Sequence, residues 1–123
     1  MLGIGTDLVD IPRFRAVLKR TPGMADRLFC AGERAYAATS GDPARPLAAR
    51  FAAKEAVLKS LGVGLGAMRF TEIEVVRHED GRPELVLHGA AADFAAARGA
   101  HRFLISMSHT DTLAQAVVVA LES

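Results

Sequence analysis

The segment Arg50-Phe-Ala-Ala-Lys-Glu-Ala-Val-Leu-Lys59 constrains the fold of this chain more than any other stretch, because its charges do not sit where an ordinary amphipathic helix would put them. At about 100° per residue, Leu47, Phe51, Leu58 and Leu61 form one apolar stripe, Lys54 falls inside it and Glu55 lies on its border. Burying an unpaired ammonium or carboxylate costs several kcal/mol, so a helix that directs both toward packed surface calls for an ion, an anion or a counter-charge there. Lys59 follows one turn after Glu55. On an exposed helix these two would make only an i, i+4 pair of about 0.2–0.5 kcal/mol, without functional meaning.

The N-terminal run Leu2-Gly-Ile-Gly-Thr-Asp-Leu-Val-Asp-Ile11 reads as a strand, with Leu2, Ile4, Thr6 and Leu8 on one face and Gly3, Gly5, Asp7 and Val9 on the other. Glycine at alternate positions weakens a strand, and its use here points to a backbone or ligand approaching closely beside Asp7. The alternative for Asp7 is an acidic turn residue after a short edge strand. A strand-end Asp and a helix Glu flanked by lysines make a sparse hard-oxygen set suited to Mg²⁺, which takes one or two carboxylates, several waters and substrate phosphates. Zinc is disfavoured, since Cys30 is the only cysteine and His78, His88, His101 and His109 show no ligand spacing.

A length of 123 residues leaves room for one domain, 1–123, with a modest core that assembly into an oligomer would help to stabilise. No apolar run is long enough to span a bilayer and the N-terminus does not read as a secretory leader. With a lone cysteine there is no internal disulfide framework, so a cytoplasmic protein is expected. Net charge is only +1, yet Ile11 to Ala25 holds Arg13, Arg15, Lys19 and Arg20 with no acid among them. A basic helix suits an acidic partner, although Arg15 and Lys19 could equally belong to a solvated face. The near-neutral chain, with no aromatic-interleaved basic surface, disfavours nucleic acid.

Expected elements are a first strand, a helix from Pro12 to about Arg20, a short helix near Ala31 to Ala38 capped at Cys30, and a loop over Gly41–Pro46. A long helix from about Leu47 to Leu61 stops at Gly62, Gly64 and Gly66. A strand around Phe70 to Arg77, a turn at Gly81, a strand Glu84 to Leu87, a helix Ala90 to Arg98, and a hairpin of Arg102–Ser108 with Leu113–Leu121 follow. The glycine run follows a helix instead of opening one, so it is not a dinucleotide fingerprint.

Gly3-Ile-Gly-Thr-Asp-Leu-Val-Asp-Ile11 and Arg50-Phe-Ala-Ala-Lys-Glu-Ala-Val-Leu-Lys59, followed by Gly62-Val-Gly64, resemble the two signature motifs of the holo-[acyl-carrier-protein] synthase family of 4'-phosphopantetheinyl transferases. Asp80-Gly-Arg-Pro83, Ser106-Met-Ser-His109 and Ala114-Gln-Ala-Val-Val resemble further family segments in the same order, so the likeness covers essentially the whole chain. Cys30 stands where the family commonly has Ser or Thr, and Val63 where threonine is common.

The resemblance implies an α+β fold, a small and largely antiparallel sheet packed with a long central helix, assembled as a homotrimer whose active sites lie between subunits. It implies transfer of 4'-phosphopantetheine from coenzyme A to a serine of an apo acyl carrier protein, releasing adenosine 3',5'-bisphosphate. Asp7 and Glu55 would bind Mg²⁺ and, with Lys59, form the catalytic set. Coenzyme A would meet Arg50, Lys54, Lys59, Gly62, Gly64, Arg82, Pro83, Ser108 and His109, and the acidic carrier would meet Arg13 and Arg20. For Lys54 two roles stay open, a phosphate contact or a lock that pairs with an acid; for His109, a phosphate ligand or a hydrogen-bonded turn residue. The serine proton goes to Glu55 directly or to a water held by a carboxylate. The competing classes are an idle module that binds carrier proteins or nucleotides and a different Mg²⁺-dependent phosphotransferase; the absence of a GxxxxGK[ST] loop disfavours the common nucleoside triphosphate enzymes.

Overall fold

The long helix, α4 (Ala44–Ser60), is buried on nearly every side and organises the other elements around it, as a computed structural model covering residues 1–123 shows. Its alanines at 48, 49, 52, 53 and 56 are all in the core and give it a thin body that neighbouring backbones approach closely. The helix begins three residues before the expected Leu47, because Pro46 falls in the first turn, where its missing N–H is no loss.

Strand β1 (Gly3–Asp10) runs into α1 (Ile11–Arg20), which Asp10 caps by accepting from the Arg13 N–H at 2.8 Å. A short helix α2 (Met24–Leu28), absent from the sequence-based expectation, precedes α3 (Ala31–Ala38). Five residues give too little apolar periodicity to be legible, and tertiary contacts form this turn. The expected strand from Phe70 opens instead as a 3₁₀ turn, Phe70–Glu72, before β2 (Ile73–Arg77). Then come β3 (Pro83–Leu87), α5 (Gly89–Ala97), β4 (Arg102–His109) and β5 (Leu113–Leu121).

All strand pairs are antiparallel: β1, β5 and β4 form one sheet in that order, and β2 pairs with β3 in a second. The alternation places Ala114, Ala116, Val118 and Ala120 of β5 fully inside. On β1 the Gly3, Gly5, Asp7, Val9 face turns toward α4. A Cβ at Gly3 would overlap the Ser60 carbonyl, and one at Gly5 would lie 2.7 Å from Ser60 N and 2.9 Å from Lys59 Cβ. The close approach inferred from the alternate glycines is therefore that of the α4 backbone. The opposite sheet face is open and carries an apolar row: Ile4 is 59% and Leu104 50% exposed, and both pair in register with Val119 of the central strand. No helix is long and apolar enough to cross a membrane.

Candidate active site

Packing the glycine face of β1 on the last turns of α4 brings Asp7, Glu55 and Lys59 together. Lys59 Nζ donates to Asp7 Oδ1 and to the Thr6 carbonyl, each at 3.0 Å. Asp7 and Glu55 both line a hollow of about 700 Å³. Partial burial pushes the Glu55 carboxyl above its ordinary range, the Asp7 charge pushes the same way, and Lys59 opposes them. Two hard-oxygen donors that repel each other, with one lysine beside them, fit Mg²⁺, which needs only one or two carboxylates when phosphates and waters complete its shell. No cluster of three or more metal-ligating side chains exists, so a closed all-protein metal cage is absent.

The rest of the hollow is mostly apolar, with Leu8, Phe14, Phe51, Leu65 and Phe70 in its walls, and Arg13 is its one basic side chain. Arg13 thus lies at the edge of the carboxylate site. Arg15, by contrast, is tied to Asp42 through two hydrogen bonds, and Arg20 is exposed at the far end of α1, outside the hollow.

Lys54 corrects one expectation. Its ammonium is fully buried and donates to Glu33 Oε1 at 2.8 Å, to Phe70 O at 2.7 Å and to Ile73 O. All three donors are used inside the core, so none reaches a coenzyme phosphate, and of the two roles the lock is the one observed. Burial lowers the affinity of this amine for its proton and Glu33 raises it.

Arg50 lies five residues before Glu55 and so roughly 140° around the helix from it. There it lines a second, separate cavity of about 370 Å³ with Tyr36, Arg45, Arg77 and His109. The Arg50 guanidinium is buried, stacks 4.4 Å from the centre of the Tyr36 ring, and donates to Pro46 O at 3.3 Å. The Nε atoms of Arg45 and Arg50 are buried without partners. Burial pulls the Arg50 guanidinium below its ordinary range, and the Arg77 charge adds to this. Three arginines and a histidine, with two buried guanidinium N–H groups unpartnered, give this cavity the chemistry to receive an anion. Arg45, Arg77 and Tyr36 were not foreseen, because they come from three different elements and share no spacing.

His109 reaches this cavity from the end of β4; Ser108 beside it is exposed. Arg82 and Pro83 sit at the β2–β3 turn, where Arg82 N donates to Asp80 Oδ1 at 3.0 Å and Arg77 Nη1 donates to Gly81 O at 2.7 Å. Gly62 has φ +71° and ends α4, beside a cleft that Lys59 and Arg98 also line. Gly64 is in the loop that follows, and Val63 packs against the core. Within one chain, then, the expected coenzyme residues divide between two faces of α4.

Residues 3–118 match the family model for the 4'-phosphopantetheinyl transferase superfamily. The chain belongs to this superfamily. A holo-[acyl-carrier-protein] synthase of Clavibacter michiganensis is 50% identical over 117 residues, which span 95% of this chain and 92% of that protein. The crystal structure of holo-[acyl-carrier-protein] synthase from Neisseria meningitidis superposes with a TM-score of 0.90 at 34% identity, covering 98% of each chain. The Helicobacter pylori holo-[acyl-carrier-protein] synthase, solved in complex with coenzyme A, gives a TM-score of 0.84 at 28% identity, over 96% of this chain and 99% of that one. The α+β architecture expected from the sequence is the architecture of the superfamily's synthases.

Proposed function

We propose that this chain is a holo-[acyl-carrier-protein] synthase, a single transferase domain over 1–123 that moves 4'-phosphopantetheine from coenzyme A to a serine hydroxyl of an apo acyl carrier protein. The observation that carries this reading is the convergence of Asp7, Glu55 and Lys59, with Lys59 Nζ 3.0 Å from Asp7 Oδ1. A module that only bound carrier proteins would not need a carboxylate pair and a cation set for phosphate chemistry.

In the reaction the serine oxygen forms a bond to the phosphorus that carries pantetheine. The bond from that phosphorus to the bridging pyrophosphate oxygen breaks, and adenosine 3',5'-bisphosphate leaves. Mg²⁺ held by Asp7 and Glu55 would neutralise pyrophosphate charge. Lys59 exchanges its contact with Asp7 for the leaving phosphate and stabilises the charge that collects there. The serine proton goes to Glu55, whose proton affinity is raised by partial burial, or to a water held by a carboxylate. The hollow behind it admits apolar groups, and Arg13 at its edge favours an acidic carrier.

The anion cavity around Arg50 and His109 suits the 3'-phosphate of coenzyme A, with Arg82, Pro83 and Ser108 on the same route. Because it opens on the other side of α4 from Glu55, a neighbouring copy supplies it in our reading, which a homotrimer closed through the exposed face of β1, β5 and β4 would satisfy. Gly62 and Gly64 border the coenzyme from the chain that supplies Lys59. The test is to incubate purified protein with coenzyme A, Mg²⁺ and an apo acyl carrier protein and weigh the carrier. A mass gain of one phosphopantetheine is expected; an unchanged carrier with coenzyme bound would leave only a binding module.

A further inference from the structure

The Lys54 ammonium and the Glu33 carboxylate are the most heavily engaged polar groups in the core. Both are fully buried. Besides the Lys54 bond, Glu33 Oε1 accepts from Cys30 N at 3.1 Å and Oε2 accepts from Val75 N at 2.9 Å. With the Lys54 bonds to Phe70 O and Ile73 O, the pair joins α3, α4, the 3₁₀ turn and β2 through one set of hydrogen bonds. Stability alone does not explain it, since well-packed apolar side chains of similar volume commonly replace a buried ion pair without loss. Directed bonds supply what apolar contacts do not, a fixed height and rotation of α4 against the segment Phe70–Ile73.

That constraint ends at the site. Glu55 follows Lys54 directly, and Phe70, whose carbonyl receives Lys54, lines the same hollow as Glu55 and packs on Phe51 with ring centres 5.7 Å apart. Across α4, Gly5 presses on the backbone of Ala56 and Ser60. The helix is held from both sides, by a close steric fit against β1 and by directed bonds against the 3₁₀ turn. Without those bonds, α4 could turn about its axis and carry Glu55 away from Asp7.

We propose that Glu33 and Lys54 are positioning residues for the transfer reaction: their buried pair sets α4 so that Glu55 and Lys59 face Asp7, and neither residue touches substrate. This rests on the transferase reading above. The test compares wild type with the double variant Glu33→Leu/Lys54→Met, with folding followed by circular dichroism and thermal unfolding. The variant is expected to fold with a Tm near that of wild type, to lose about 10-fold or more in kcat, and to keep its coenzyme A KM within about 3-fold, as for a reacting group displaced by a fraction of an ångström. A folded double variant with wild-type kcat overturns the proposal.

Should the double variant not fold, Glu33→Gln, which removes the charge and sets an amide N–H against the Val75 N–H so that the bond to β2 is lost, decides in its place. A lowered kcat at unchanged coenzyme A KM supports the pair's role, and wild-type kcat removes it. If wild type itself transfers nothing, the transferase reading falls. Hydrogen exchange then judges positioning alone, in the double variant or in Glu33→Gln if the former does not fold: faster exchange across Ala53–Lys59 supports it, and unchanged protection there overturns it.

Discussion

Lys59 Nζ bonds Asp7 Oδ1 and the Thr6 carbonyl at the same distance, 3.0 Å, across a sequence separation of more than fifty residues. The lysine is thus aimed by main chain as well as by charge, and it is half exposed. It can move from Asp7 to an incoming phosphate while the Thr6 carbonyl keeps it at the site. An ion pair with a half-exposed lysine adds little to stability, so on the transferase reading its use is placement.

Replacing the carboxylates should separate chemistry from folding. Glu55→Gln and Asp7→Asn are each expected to reduce transfer by about 100-fold or more, the scale for loss of a charge-stabilising group, with circular dichroism unchanged. Near-normal rates for both at limiting Mg²⁺ would remove the assignment.

The raised pKa of Glu55 has a stability consequence of defined sign. A carboxyl that binds its proton more tightly in the folded state than in the unfolded one favours folding at low pH, and this advantage is lost as pH rises from the unfolded pKa through the folded one. Glu55→Gln should therefore have a higher Tm than wild type at neutral pH, with the two curves converging toward about pH 4. Thermal unfolding across that range checks it; a lower Tm for the variant at neutral pH would contradict the desolvated carboxyl.

Gly5→Ala should be among the most damaging single methyl additions to the chain, because the new Cβ meets the α4 backbone and nothing flexible can yield. A loss at or above the top of the roughly 1–3 kcal/mol range for overpacking is expected by chemical denaturation. Gly41→Ala, with nothing within 4 Å of its Cβ and no positive φ, is the control and should be nearly silent.

Assembly is testable at the open sheet face. Sedimentation of the wild type should show a trimer, and Ile4→Asp, which places a charge beside Val119 in the row that ends at Leu104, should shift it toward monomer and reduce activity together. A fully active monomer would refute the shared site.

Arg13→Glu should raise the KM for the carrier protein while leaving the KM for coenzyme A nearly unchanged. Added salt should slow the wild-type reaction, since exposed charges are screened over about 8 Å at physiological ionic strength. Insensitivity to both would show that this helix is only solvated.

Legibility tracked the range of each signal. The strand β1, the helices α1 and α4 and the final hairpin were readable because periodicity and glycine or proline punctuation act within a few residues. Asp7 and Glu55 stood out because a charge beside paired glycines or on the border of an apolar stripe conflicts with local packing rules, and Lys59 stood out from its place one turn after Glu55 and from the family resemblance. The 3₁₀ turn at Phe70 and the five-residue α2 were not, since tertiary contacts override weak local preference there.

By itself, the sequence determined that a long helix would carry charges into packed surface, that a backbone or a ligand would approach β1 closely, and that Lys54 would need a partner. Burial costs act on each residue wherever the chain folds. Only the tertiary structure decided that the partner is Glu33, 21 residues away, and that Lys54 is a lock. Only it gathered Arg45, Arg50, Arg77 and His109 into one cavity on the far side of α4 from Glu55. The two arginines of α4 meet Arg77 of β2 and His109 of β4 there, and the distances between the three elements arise from how helix and sheets pack, which no local pattern encodes.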